Sequence, residues 1–79
     1  MKLPRHLSGE DLIQALKKLG YTKTRQTGSH IRLTTIQGGE HHITIPNHLD
    51  LRIGTLSNIL SSVSIHFKLG KEELLRKLF

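Results

Sequence analysis

Thr27-Gly28-Ser29-His30-Ile31-Arg32-Leu33-Thr34-Thr35-Ile36-Gln37-Gly38-Gly39-Glu40-His41-His42-Ile43-Thr44-Ile45-Pro46 carries the clearest structural signal in the chain. Apolar residues alternate with polar ones on both sides of a glycine pair, and a period of two is the signature of a half-buried strand. The pattern predicts strands over His30–Ile36 and Glu40–Ile45, joined by a hairpin turn at Gln37-Gly38-Gly39. Pro46 cannot donate to a sheet ladder and closes the second of them. Upstream, Thr27-Gly28-Ser29 reads as another turn. Tyr21–Gln26 is rich in β-branched and charged residues and suits an edge strand. Two short hairpins in succession imply an antiparallel three-stranded meander.

Helical signals flank this meander. Ser8-Gly9-Glu10-Asp11 combines a capping serine with an acid at the capping-box position, and Leu7 and Leu12 have the staple spacing. Leu12, Ile13, Leu16 and Leu19 then share one face. Lys17 and Lys18 suit a last turn and Gly20 a left-handed stop, which predicts a helix over Gly9–Leu19. Beyond a loop at Asn47–Ile53, Leu56, Ile59, Leu60 and Val63 follow helical spacing. Four serines weaken the propensity of that second helix, so packing must hold it. After Gly70, Lys71–Phe79 carries Leu74, Leu75 and Leu78 on a short last helix. The predicted fold class is therefore α+β, in the order α-β-β-β-α with an added C-terminal helix. One sheet face suffices to bury both main helices, and the other is left open.

Alternation also sorts the strand residues by face. Ile31 and Leu33 share one side, while His30, Arg32 and Thr34 share the other. Ile43 and Ile45 lie with His41, opposite His42 and Thr44. With the aliphatic residues toward the helices, His30, Arg32 and His42 fall on the open face. Lys23 and Arg25 lie on the adjoining strand, where the pairing register decides their side.

The 79 residues predict one domain, 1–79, with a thin core and no room for a deep substrate cavity. A chain of this size must work on an exposed face. Twelve Lys and Arg against six Asp and Glu give a formal charge of +6, which suits a polyanion. Six histidines add groups that titrate near neutral pH. The absence of cysteine excludes thiol catalysis and disulfides. No apolar run reaches the roughly 20 residues of a membrane span. Met1–Arg5 lacks the apolar core of a signal peptide. The expectation is a cytoplasmic protein without membrane contact.

Histidine beside arginine on an open basic face matches the needs of RNA cleavage. The ribose 2′-OH is an internal nucleophile, so a group that moves a proton and cations that stabilise the phosphorane-like charge suffice. His30 is the candidate for the first role. The bland readings are a His30 that merely begins a strand, a Lys17-Lys18 pair on a solvated helix end, and a Gly28 kept for turn geometry. His66, between Ile65 and Phe67, reads as a packing or helix-terminal residue. His41, His42 and His48 could be metal ligands, but neighbours on a strand point apart and few acids accompany them. No metal and no cofactor are expected. A non-catalytic basic module that binds RNA or protein accounts for the charge equally well.

Four short runs carry a family resemblance. Ala15-Leu16-Lys17-Lys18-Leu19-Gly20-Tyr21 is followed by Arg25-Gln26-x-Gly28-Ser29-His30, then by Thr44-Ile45-Pro46-x-His48, then by Gly54-Thr55-Leu56-x-x-Ile59-Leu60. In order and spacing they resemble the HicA (YcfA-like) mRNA interferase family across nearly the whole chain. The resemblance implies a small double-stranded-RNA-binding-domain-like fold. It also implies a toxin that cuts messenger RNA and so stops translation, and the chemistry set out above needs no metal for the cut. A HicB-type antitoxin would hold it inactive in a hetero-oligomeric complex. The family's Gly-Ser-His histidine falls on His30 as the catalytic residue. Lys17, Lys18, Arg25, Ser29 and Arg32 are the candidate RNA contacts. An acidic antitoxin would oppose the positive charge of this chain.

Overall fold

The computed structural model describes residues 6–79. Met1–Arg5, which lacks a leader's apolar core, lies outside them. Helix α1 spans Gly9–Leu16, strands β1, β2 and β3 span Thr22–Thr27, His30–Thr35 and His41–Pro46, and helices α2 and α3 span Ile53–Phe67 and Lys71–Leu78. The sheet is an antiparallel meander in the order β1-β2-β3. The expected α+β class and α-β-β-β-α order with a C-terminal helix are what the chain forms.

Local chemistry explains the ends of α1. The Ser8 hydroxyl accepts from the Asp11 amide at 3.0 Å, and the Ser8 amide donates to the Asp11 carboxylate at 3.1 Å, which completes the capping box. The chain then tightens into a 3₁₀ turn over Lys17–Leu19, so the predicted helix is real but changes pitch in its last turn. Gly20 stops it with φ of +82°. Leu12 and Leu16 are fully buried, with Leu19 and Tyr21 continuing the same layer.

Helix α2 runs one turn beyond the periodic residues that predicted it and takes in His66 and Phe67. Its left-handed stop is Lys68, with φ of +56°, and not a glycine. The Leu69 amide returns to the Ser64 carbonyl at 3.0 Å, while the Ser64 hydroxyl donates to the Leu69 carbonyl. Gly70 precedes α3 in extended backbone. Arg52 at the start of α2 offers no side-chain cap, so packing of Leu56, Ile59, Leu60 and Val63 holds the helix. The C-terminal helix adds Leu74 and Leu78, both fully buried. Burial of each such side chain contributes about 1.5–3 kcal/mol.

Ile31, Leu33, Ile43 and Ile45 face these helices, and the core lies in that single layer. The molecule is a slab with extents of 31 × 28 × 17 Å. The other side of the sheet is left to solvent, and every residue of β1 is exposed.

Candidate nucleic-acid interface

Three strands bring the site together on the open face. His30 begins β2 directly after the Gly28-Ser29 turn, where Gly28 has φ of +58°. A glycine at the first central position of a two-residue hairpin supplies that angle without steric cost. His30 pairs with Thr27 on one side and Pro46 on the other. The Asn47 amide donates to the Ser29 carbonyl at 2.6 Å and pins the turn against the end of β3.

Arg25 reaches the same face through an irregularity. Lys23 pairs with Leu33, yet Arg25 pairs with Arg32, so Thr24 is an extra residue in β1. Such a bulge opposes two residues to one and re-aims the side chains beyond it. Without it, Arg25 would stand opposite Ile31 and share the helix-facing side. With it, Arg25, Arg32 and Thr44 form one row across the sheet. Thr24 itself is held by hydroxyl contact with Thr34 at 3.0 Å.

Arg25, Thr27, His30, Arg32 and Thr44 line a shallow depression of about 200 Å³. All five are exposed. Two guanidinium groups directly across a strand pair repel one another, a pairing that costs roughly 0.2–1 kcal/mol. Among the described residues the ion pairs are His6–Asp50 and His42–Glu40, so neither arginine has a carboxylate partner there. The depression thus sets two guanidinium groups beside an exposed imidazole.

Of the residues predicted from sequence, Arg25, His30 and Arg32 come together in this depression. Ser29 sits in the adjoining turn, exposed but not in the lining. Lys17 and Lys18 do not join them. They precede Gly20, next to Thr35 at the far end of β2, about 16 Å along the strand from His30. The Lys18 ammonium donates to the Leu78 carbonyl at 2.9 Å, on the helix side of the slab. Thr27 and Thr44 also line the depression, and sequence reasoning missed both as site residues. Strand parity puts Thr44 on this face, but nothing in the sequence sets it beside Arg32.

The other histidines have separate environments. His41 is on the helix side, between the Tyr21 hydroxyl at 2.6 Å and the Ser62 hydroxyl at 3.2 Å. Its ring stacks on His66 with centroids 4.4 Å apart, and His66 Nε2 donates to the Gln37 carbonyl at 2.9 Å. The packing role expected of His66 is the one it has. Burial lowers the His41 pKa, with the His66 and His42 charges acting in the same direction, and burial pushes Tyr21 up to about 12. His42 is on the open face, bonded to Thr34 and Glu40. Among the described residues no group of three or more His, Cys, Asp or Glu side chains could hold a metal ion, and no helix is long and apolar enough to cross a membrane.

Fold and face together define a small basic α+β domain with two arginines and a histidine gathered on its open sheet surface. A family model described as the HicA toxin of bacterial toxin–antitoxin systems matches residues 9–65, from the start of α1 to near the end of α2. The chain belongs to the HicA toxin family. It is thereby a toxin of a toxin–antitoxin pair, and an antitoxin is its partner. No curated protein and no solved structure matches the chain.

Proposed function

We propose that this toxin is an endoribonuclease that cuts single-stranded regions of messenger RNA without a metal and so inhibits translation. The observation that carries this reading is the depression in which His30 stands beside the unpaired guanidinium groups of Arg25 and Arg32. Arginine holds a phosphate through paired N–H donors. A phosphate seated there brings its ribose 2′-OH to the neighbourhood of His30. The imidazole then moves a proton as general acid or base, a contribution of typically 10²–10⁴-fold. The two arginines stabilise the charge that develops on the phosphate oxygens. Ser29 adds donors at the rim. Lys17 and Lys18, if they meet RNA, meet a distant part of a long strand. The antitoxin is taken to be of the HicB type and acidic, covering this face in a hetero-oligomer, with both proteins in the cytoplasm.

The test is a long RNA incubated with the purified chain in EDTA and resolved on a gel. Fragments are expected from the parent, and intact RNA from a folded His30→Ala variant. Cleavage by His30→Ala at the parental rate would remove the assignment. Intact RNA in a retarded band with the parent would make the chain a binding module and not a nuclease.

A further inference from the structure

One row of the open face is not explained by phosphate handling. Beyond His30 and the Arg25–Arg32–Thr44 row, the next row along β2 contains Thr34, paired with His42. Each row advances two residues, about 6.6 Å, which places this one about 13 Å from His30. The Glu40 carboxylate lies 2.9 Å from His42 Nε2, His42 Nδ1 lies 2.7 Å from the Thr34 hydroxyl, and that hydroxyl lies 3.0 Å from Thr24 Oγ1.

The direction of these bonds follows from donor counting. A carboxylate can only accept, so His42 donates from Nε2. With Nε2 donating, Nδ1 accepts the Thr34 hydrogen, and the Thr24 hydroxyl lies within reach of both Thr34 and the Arg32 carbonyl, the latter at 3.4 Å. The His42 and Thr34 hydrogens are then used within the row, and the Thr24 hydrogen goes to Thr34 or to the Arg32 carbonyl. What the row offers outward is acceptor capacity, concentrated on a Glu40 side chain that is 70% exposed and held by His42. A carboxylate repels phosphate, so the backbone of a bound strand does not run over it. A group with N–H donors does fit. Bases of single-stranded RNA present such donors on their Watson–Crick edges. Guanine alone places a ring N–H and an amino group side by side, which matches the two oxygens of one carboxylate. Adenine and cytosine offer a single amino group, and uracil flanks its N–H with carbonyls.

We propose that Glu40, oriented by His42 and Thr34, is a specificity-determining residue that reads a guanine about two nucleotides from the phosphate at His30. This rests on RNA being the ligand of the open face. It makes sequence preference a property of a carboxylate on an otherwise cationic chain, in keeping with the division between phosphate contacts that position and base contacts that specify.

The test uses the full chain carrying His30→Ala, labelled oligouridylates with one central guanine, adenine, cytosine or inosine, and fluorescence anisotropy. The guanine oligonucleotide is expected to bind roughly tenfold tighter than oligouridylate. Inosine, which lacks the amino group, should lose most of that gain. Glu40→Gln should bring all bases to parity without weakening oligouridylate binding, and His42→Ala should narrow the preference. Equal binding of all bases, or a guanine preference that survives Glu40→Gln, overturns the proposal. Cleavage by the parent is scored separately. RNA cut by a chain that binds all bases alike leaves the nuclease and removes the guanine site. Guanine-dependent binding without cutting does the reverse. Failure of this variant to bind any RNA removes the guanine site, and absence of cutting by the parent as well removes the nuclease.

Discussion

His41 shows how one side chain ties acidity to stability. Its folded pKa lies below the ordinary value of 6.5, chiefly because burial penalises the imidazolium, and the neighbouring His66 and His42 oppose a further positive charge. Tyr21 and Ser62, which also face it, carry no charge at neutral pH. The unfolded chain therefore binds the proton more readily. Stability is fully present above the unfolded value, falls as pH drops through about 6.5, and goes on falling until the folded pKa is passed. Thermal melts from pH 7.5 to 5 are expected to show a declining midpoint, with a shallower slope for His41→Gln. Alternation on β3 puts His41 with the isoleucines. Its stack on His66 is not legible in the sequence, because nothing local connects residues 25 positions apart. Gly9 illustrates the same limit. It reads as an ordinary first-turn residue, yet a methyl group there would run into the Pro46 carbonyl oxygen and stand 3.1 Å from the Asn47 Cα. Both obstacles are backbone and cannot rotate away. Gly9→Ala should cost about 1–3 kcal/mol in urea denaturation despite the higher helix propensity of alanine.

At the scale of elements, what the sequence reveals is what is local. The capping box, the Gly20 stop and the strand alternation each depend on neighbours within a few residues, and each appears at its expected position. The end of α2 and the side taken by Arg25 depend on more. Lys68 ends the helix in a conformation usually given to glycine, so no residue type announces it. The Thr24 bulge is a property of the pairing between β1 and β2, and strand parity alone leaves Arg25 undecided. Two single-residue deletions separate the alternatives. Removing Thr24 deletes the extra residue and leaves Arg25 opposite Arg32, so RNA affinity should be preserved. Removing Gln26 while the Thr27–His30 turn stays fixed moves Arg25 opposite Ile31, toward the helix side. That variant should bind RNA roughly tenfold more weakly, the scale of one lost charge-assisted contact. Circular dichroism of both proteins establishes that the fold is kept.

The whole molecule is a thin slab with two unlike faces, and net charge says nothing of how the charge divides between them. The value of +6 points to a polyanion, but the structure separates the cations that can meet one on the open face from those committed elsewhere. Arg25 and Arg32 belong to the first group. Lys18 belongs to the second, since its ammonium is bound at the C-terminal end of α3, where the helix dipole favours a positive charge. Salt dependence distinguishes them. For a single strand the logarithm of affinity falls with the logarithm of salt concentration by about 0.7 for each phosphate neutralised. Arg25→Gln and Arg32→Gln should each make that slope shallower by about 0.7. Lys18→Gln should leave the slope of a short oligonucleotide unchanged and instead lower folding stability by roughly 0.3–1 kcal/mol. A Lys18 variant that flattened the slope as much as either arginine variant would mean that the strand crosses the edge of the sheet and continues along the helices. The antitoxin would then have to cover two faces of the toxin to keep RNA from it.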